Sequence, residues 1–395
     1  MLTASRRTAA GIAILGIVMV LAGVKVTHAS AGRFRIDETL KISESAFFGL
    51  LMQGRFFDPA WSGTIIDRAT PPVGKYGFGL AIELSGRRVP PVPTLNVRTP
   101  AGNVPMVYPD DVAAPYLPYL PAVRHASTVC VALIAAILGW MTARTASALS
   151  ALFALVLFCT SYLTNLLWAT AVFDPLLILF ATVLLLLATH RSSAASCVLA
   201  GIVGGLAMET RLNGALFFGL TVLILLVAEP KRWRSIVLSG VAFVATAFAV
   251  NPYYWPSPIS RVVQQFHDIH TLLDGLLASG RGFSTPGAKI RFAFEYLFGD
   301  VPGSVLFVST LIAVYWLVTR WRTLNEPALR GALWCGANVV VFLWWLPVAW
   351  PRYLFAIVPS LCFLAAVGTT GFISEASSLV RFRSAKKIAA NEEPE

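Results

Sequence analysis

Charge is scarce in this sequence. Of its 395 residues only 13% are charged and 56% are hydrophobic, where a soluble globular domain carries about 25% charged residues. The deficit is concentrated in blocks: Leu176 to Ala188 and Ala194 to Met208 hold no charge at all. A hydrocarbon core of ~30 Å needs about 20 apolar residues per helix, and inside it only helices or closed barrels satisfy the backbone. These runs are too long and alternate too poorly for barrel strands, which leaves helices. Cysteine is also sparse. The five, Cys130, Cys159, Cys197, Cys335 and Cys362, lie apart in apolar runs, without C-x2-C metal spacing or the density of a disulfide framework. They read as small packing hydrophobes. The glycine-rich phosphate loop G-x-x-x-x-G-K-[ST] is absent.

What charge there is has a pattern. The formal net charge of +11 comes from basic residues at the ends of apolar runs, as the positive-inside rule produces, so it is no sign of nucleic-acid binding. Roughly ten spans follow from length and flanking charge, near 8–28, 125–143, 146–164, 170–189, 194–209, 212–228, 235–251, 303–319, 331–349 and 352–373. Arg6 and Arg7 set the N-terminus inside. Arg144, then His190-Arg191, then Lys231-Arg232-Trp233-Arg234, then Arg320 to Arg330, then Arg381, Arg383, Lys386 and Lys387 all fall on that same side. Losing one span would put a basic loop outside. The small residues Ala29-Ser30-Ala31 resemble a signal cleavage site, but the preceding apolar run is long for a signal peptide and reads as a retained first span.

The chain is therefore expected to be an all-α integral membrane protein, with residues 1–373 as one polytopic domain and 374–395 as a charged, disordered cytoplasmic tail. Two outside segments exceed simple turns, 30–124 and 252–302, and loops of that length are usually functional. In the first, Ile42, Ala46, Phe47, Leu50 and Leu51 recur at helical spacing with Lys41, Glu44, Ser45 and Gln53 between them. An amphipathic helix lying in the membrane interface is expected over Asp37 to Phe57. Val89 to Pro121, rich in proline and polar residues, reads as irregular.

The candidate chemistry sits at the outer ends of the spans. Asp37-Glu38 is a helix N-terminal acid pair or a general base at a membrane surface. Lys75, in Thr70-Pro71-Pro72-Val73-Gly74-Lys75-Tyr76, is a solvated charge after a Pro-Pro turn or a phosphate ligand. Asp174-Pro175 opens a span, and a carboxylate at a membrane boundary is a functional candidate by default. Arg211, in Glu209-Thr210-Arg211-Leu212-Asn213, can pair with Glu209, with a headgroup, or with a phosphate oxygen. Trp350-Pro351-Arg352-Tyr353 is an interfacial aromatic and arginine anchor or part of the same site. His267-Asp268-Ile269-His270 is the only histidine cluster, and two histidines three apart are weak evidence for metal. Asp37, Glu38, Lys75, Asp174, Arg211 and Arg352 come from separate stretches, and the charge-derived topology places all of them at one face.

At these residues the sequence resembles the membrane glycosyltransferases of the GT-C fold, nearest to the protein O-mannosyltransferase and lipid A aminoarabinose transferase branches. The resemblance rests on Ile36-Asp37-Glu38 just after the first span and on Pro71-Pro72-Val73-Gly74-Lys75-Tyr76 in the first outer loop. It rests further on Phe173-Asp174-Pro175-Leu176, on Gly205 to Arg211, and on Arg352-Tyr353 before the last span. It covers most of residues 1–373. Thr70 stands where the mannosyltransferase branch usually has histidine, and the stretch after Glu83 is more polar than in relatives.

The resemblance implies an inverting transferase that takes its sugar from a polyprenyl phosphate. Asp37 would be the base, with Glu38 beside it and Asp174 a second essential carboxylate. Arg211, Lys75, Arg352 and Tyr353 would bind the donor phosphate. The acceptor, a protein, lipid or glycan, stays open, as does a divalent cation. Compact length without a large lumenal domain points to a bacterial inner membrane with both termini cytoplasmic. Two other classes compete. A flippase or transporter of a lipid-linked sugar would place charge near the bilayer midplane, where this chain has almost none. A non-catalytic membrane subunit would tolerate loss of Asp37.

Overall fold

The structure, a computed structural model, describes residues 8–9, 11–19, 34, 37–92, 110–168, 170–190 and 193–391, with side chains in the last helix described to Ser378. Arg6, Arg7, His28, Ala29-Ser30-Ala31, Ile36, Arg191 and most of Val89 to Pro121 lie outside the described residues.

Helices dominate, with no named strand among the described residues. Five helical stretches are long and apolar enough to cross a membrane: Asp111–Thr145, Pro230–Val250, Val301–Arg320, Glu326–Trp345 and Pro351–Ser378. Four shorter apolar helices, Ala148–Thr160, Asp174–Thr189, Ala194–Met208 and Gly214–Ala228, fall where further spans are expected. Residues 11–19 are helical within the expected first span. The chain is an integral membrane protein.

The bundle centre is built from the Leu120–Thr145, Asp174–Thr189 and Val358–Asn391 helices, where Ile134, Leu138, Leu184, Phe363 and Ala365 are fully buried. Close approach is made by small residues. A Cβ at Gly201 would lie 2.2 Å from Ser239 O, so the Ala194–Met208 and Trp233–Val250 helices touch backbone to backbone, as small residues allow in membranes.

Two features differ from expectation. The helix expected over Asp37 to Phe57 is two, α1 (Glu38–Glu44) and α2 (Ala46–Met52), broken where Ser45 Oγ donates to Ile42 O at 2.6 Å. Most of its polar residues are turned inward: Glu38, Lys41, Glu44 and Ser45 are buried, and Gln53 at the C-terminal end of α2 is exposed. The reason is internal pairing, since Lys41 Nζ donates to Glu44 at 2.7 Å and Glu38 meets Arg124. The other difference is the tail. The last helix runs from Val358 to Asn391, so residues 385–391 of the tail expected to be disordered are helical. Ala and Lys, which fill it, are good helix formers.

Candidate functional site

Asp37 is the residue to start from. It is the one non-glycine residue with positive φ among the described residues (φ 65°). Aspartate is one of the few side chains that visits this left-handed region, and such strain persists only where the surroundings hold it. It occupies the N-cap position of α1, yet its side chain makes no capping hydrogen bond. The carboxylate instead turns away, and its Oδ2 lies 2.7 Å from Arg352 Nη1.

Arg352 arrives from the far end of the sequence, in the turn Pro351–Leu354 that begins the last span. Its guanidinium lies over the Trp350 ring, 4.5 Å from the centroid, and 5.7 Å from the Tyr353 centroid. Its Nε is buried and has no hydrogen-bond partner among the described residues, so this donor is left without an acceptor there.

Asp174 opens α4 (Asp174–Thr189; the preceding α3 is Pro72–Leu84), with Pro175 in the first turn, where its missing N–H costs nothing. Asp174 is buried, and its Oδ2 sits 3.1 Å from Arg211 Nη2. Arg211 in turn lies over the Tyr353 ring at 5.2 Å. The result is two carboxylates and two guanidiniums in alternation, Asp37–Arg352 and Asp174–Arg211, joined through Tyr353. Among the readings open for Arg211, pairing with Glu209 is not the one found.

Two expected site residues are placed elsewhere. Glu38, fully buried, accepts from Arg124 Nε at 2.9 Å, Arg124 Nη2 at 2.7 Å and the Ala171 N–H at 2.8 Å. Its oxygens are committed to fixing the segment that leads into Asp174. A carboxylate so tied is a brace, and its neighbour Asp37 is the one aimed at the cluster. Lys75 on α3 is buried, donates to Asp67 O at 2.8 Å, and lies 4.2 Å from the Phe47 ring centroid. Burial pushes its ammonium below the ordinary lysine range, opposed by Glu44 and Asp67. The glycine before it has a packing role: a Cβ at Gly74 would lie 2.4 Å from Phe173 Cγ, so only glycine lets α3 press against the residue preceding Asp174.

Glu209 anchors the turn that carries Arg211. Fully buried, it accepts from Asn251 Nδ2 at 2.7 Å and Tyr254 OH at 3.3 Å, while its backbone carbonyl accepts from Val73 N at 2.8 Å. Burial pushes its carboxyl up to about 8 against those two hydrogen bonds. The Tyr254 hydroxyl is shared between Glu209 and Gln265 Oε1, and Gln265 Nε2 donates to Arg68 O at 2.8 Å. Sequence reasoning missed this network, and it missed Arg124. The signal for Arg124 was present, a lone arginine at the head of an apolar run. Around His267 and His270 no group of three or more ligating side chains occurs among the described residues, and Asp268 between them pairs with Arg68 Nε at 2.7 Å.

No protein-family model matches the sequence, and no curated protein does. Solved structures do match. Over 91% of this chain, ArnT from Cupriavidus metallidurans bound to undecaprenyl phosphate superposes with a TM-score of 0.57 at 16% identity. The apo state of ArnT gives 0.55 over the same 91%, again at 16% identity. This chain has the GT-C fold. It spans 60% of the length of the lipid-bound ArnT chain. The Asp37–Arg352 and Asp174–Arg211 pairs bring the start of α1 together with the ends of the Asp174–Thr189, Gly214–Ala228 and Pro351–Ser378 helices.

Proposed function

We propose that this chain is a membrane glycosyltransferase that moves a sugar from a polyprenyl-phosphate donor to an acceptor hydroxyl at the outer face, with inversion. The observation that carries the reading is the Asp37–Arg352–Asp174–Arg211 cluster, in which a strained carboxylate and two arginines converge. The likeness to ArnT, a structure of which holds undecaprenyl phosphate, supports the choice of donor.

In this reading the acceptor hydroxyl loses its proton to Asp37 as its oxygen attacks the anomeric carbon. The carbon–oxygen bond to phosphate breaks on the opposite face, and polyprenyl phosphate leaves with the electron pair. Arg352 engages one carboxylate oxygen of Asp37 and so orients the base. Arg211 and the unsatisfied Nε of Arg352 meet the phosphate oxygens, a preorganised stabilisation of charge as it develops. Asp174 holds Arg211 in place before the donor arrives. Tyr353 lies beneath both guanidiniums, and Glu38 and Lys75 position the loop. The reading puts the active site on the non-cytoplasmic side of a bacterial inner membrane, with both termini inside. A divalent cation has no role in this scheme.

The test is release of polyprenyl phosphate. Membranes containing the wild-type chain and supplied with radiolabelled polyprenyl-phosphate sugar should liberate polyprenyl phosphate and label an acceptor fraction. Membranes with Asp37→Asn should do neither. Movement of intact labelled donor across the bilayer, unaffected by Asp37→Asn, would instead identify a flippase.

A further inference from the structure

The second outer loop is built inside out for a segment in water. It connects the Trp233–Val250 and Val301–Arg320 helices, the two least buried of the candidate spans, with 17% and 22% of their apolar windows covered by protein. Both ends of the loop therefore emerge at the lipid-facing perimeter.

Its first helix, α5 (Pro258–Leu276), buries polar residues. Gln265 and Asp268 are covered, and Asp268 accepts from Arg68 and from Gln264 Nε2 at 2.9 Å. The opposite face carries Ile259, Val263 and Phe266, which are 84%, 63% and 50% exposed. Spacings of four and three put these three on one stripe. The second helix, α6 (Pro286–Phe298), exposes Ile290 and Phe294 at 69% and 48%. The Phe294 ring lies 5.2 Å from that of Phe307 in the following span, whose Val301, Val305 and Val308 are exposed too. The apolar surface of the loop thus continues onto the lipid-facing surface of the span. At the other end Trp255 Nε1 donates to Phe248 O of the preceding span at 2.7 Å.

We propose that this loop lies in the bilayer interface, with Ile259, Val263, Phe266, Ile290 and Phe294 seated in lipid at the boundary of headgroups and acyl chains. The partner is the bilayer surface, identified by continuity with the lipid-facing spans. The polar side of the same loop braces the site. Asp268 and Gln265 hold the segment at Arg68. Ala349 N donates to Arg281 O at 3.0 Å, which ties the loop to the stretch leading into Arg352. Seating in lipid holds both braces in register. This holds whatever reaction the site performs.

The test uses the full chain in nanodiscs of phosphatidylethanolamine and phosphatidylglycerol. Nitroxide labels are placed singly through Ile259→Cys, Ser260→Cys, Val263→Cys, Gln264→Cys, Phe266→Cys and His267→Cys, all at exposed positions that leave the core intact. Collision with oxygen and with a water-soluble nickel chelate is measured by power saturation. Expected is higher oxygen than nickel accessibility at 259, 263 and 266, with the order reversed at 260, 264 and 267. Nickel accessibility equal to or above that of oxygen at 259, 263 and 266 would put the stripe in water and overturn the proposal. Shielding of those positions from both reagents, in particles of twice the monomer mass, would assign the face to a second copy and overturn it equally.

Discussion

Arg352 Nη1 stands 2.7 Å from Asp37 Oδ2, a contact that joins the start of the last apolar helical stretch to the residue that opens α1. The contact explains why Asp37 tolerates a left-handed backbone: the strained conformation swings its carboxylate off the helix terminus it would otherwise cap and toward the guanidinium. It also divides labour within an acidic pair. Glu38 points inward to Arg124, and Asp37 points to the cluster.

Replacing Asp37 by Asn should abolish transfer and spare binding. Asparagine accepts the left-handed backbone, so the fold is retained, while loss of the base should lower turnover by about 10²–10⁴-fold. Initial rates with labelled donor, beside a thermal unfolding curve, separate the two effects. Undiminished turnover would remove Asp37 from the chemistry.

Glu38→Gln should do the reverse. It leaves the buried Arg124 guanidinium without its counter-charge, which costs about 3–5 kcal/mol in a buried pair. The expected result is a markedly lower melting temperature in detergent, with the variant that still folds turning over near the wild-type rate per folded molecule.

Glu209 makes a prediction in pH. Its carboxyl is held at about 8 by burial, from an ordinary 4.5, so the folded state keeps the proton more tightly than the unfolded one. Its contribution to stability is therefore full below about 4.5, declines above that and is lost as pH rises through about 8. The groups that face it, Asn251 and Tyr254, stay neutral there. Melting temperature should fall by roughly 5 °C across that window in the wild type. Glu209→Gln, which keeps an acceptor and cannot ionise, should flatten this part of the profile. An unchanged slope in the variant would assign the pH dependence to other groups.

The positions that the sequence made legible are those where charge is rare. In a chain with 13% charged residues, a charge beside a span stands out, and Asp37, Asp174, Arg211, Arg352 and Tyr353 are brought together in the structure. What sequence could not tell was direction. Nothing in Asp37-Glu38 says which carboxylate faces the cluster, because a single positive φ decides it. Nothing in the Pro-Pro-Val-Gly-Lys run says that Lys75 turns to the Asp67 carbonyl while Gly74 makes room for Phe173. The amphipathic pattern over Asp37 to Phe57 implies a helix with one wet face, whereas ion pairs within α1 and with Arg124 bury the polar residues of α1. Pairings such as Glu209 with Asn251 span 42 residues and leave no periodic trace.

The most direct measurement is native mass spectrometry of the detergent-purified chain titrated with undecaprenyl phosphate, comparing wild type with Arg211→Ala. A hydrogen bond between charged groups contributes about 1.5–3 kcal/mol. The account therefore predicts a bound polyprenyl phosphate in the wild type and an affinity about 10–100-fold weaker in Arg211→Ala, partly restored in Arg211→Lys. Equal occupancy in all three proteins, or ordinary phospholipid alone in each, would contradict it.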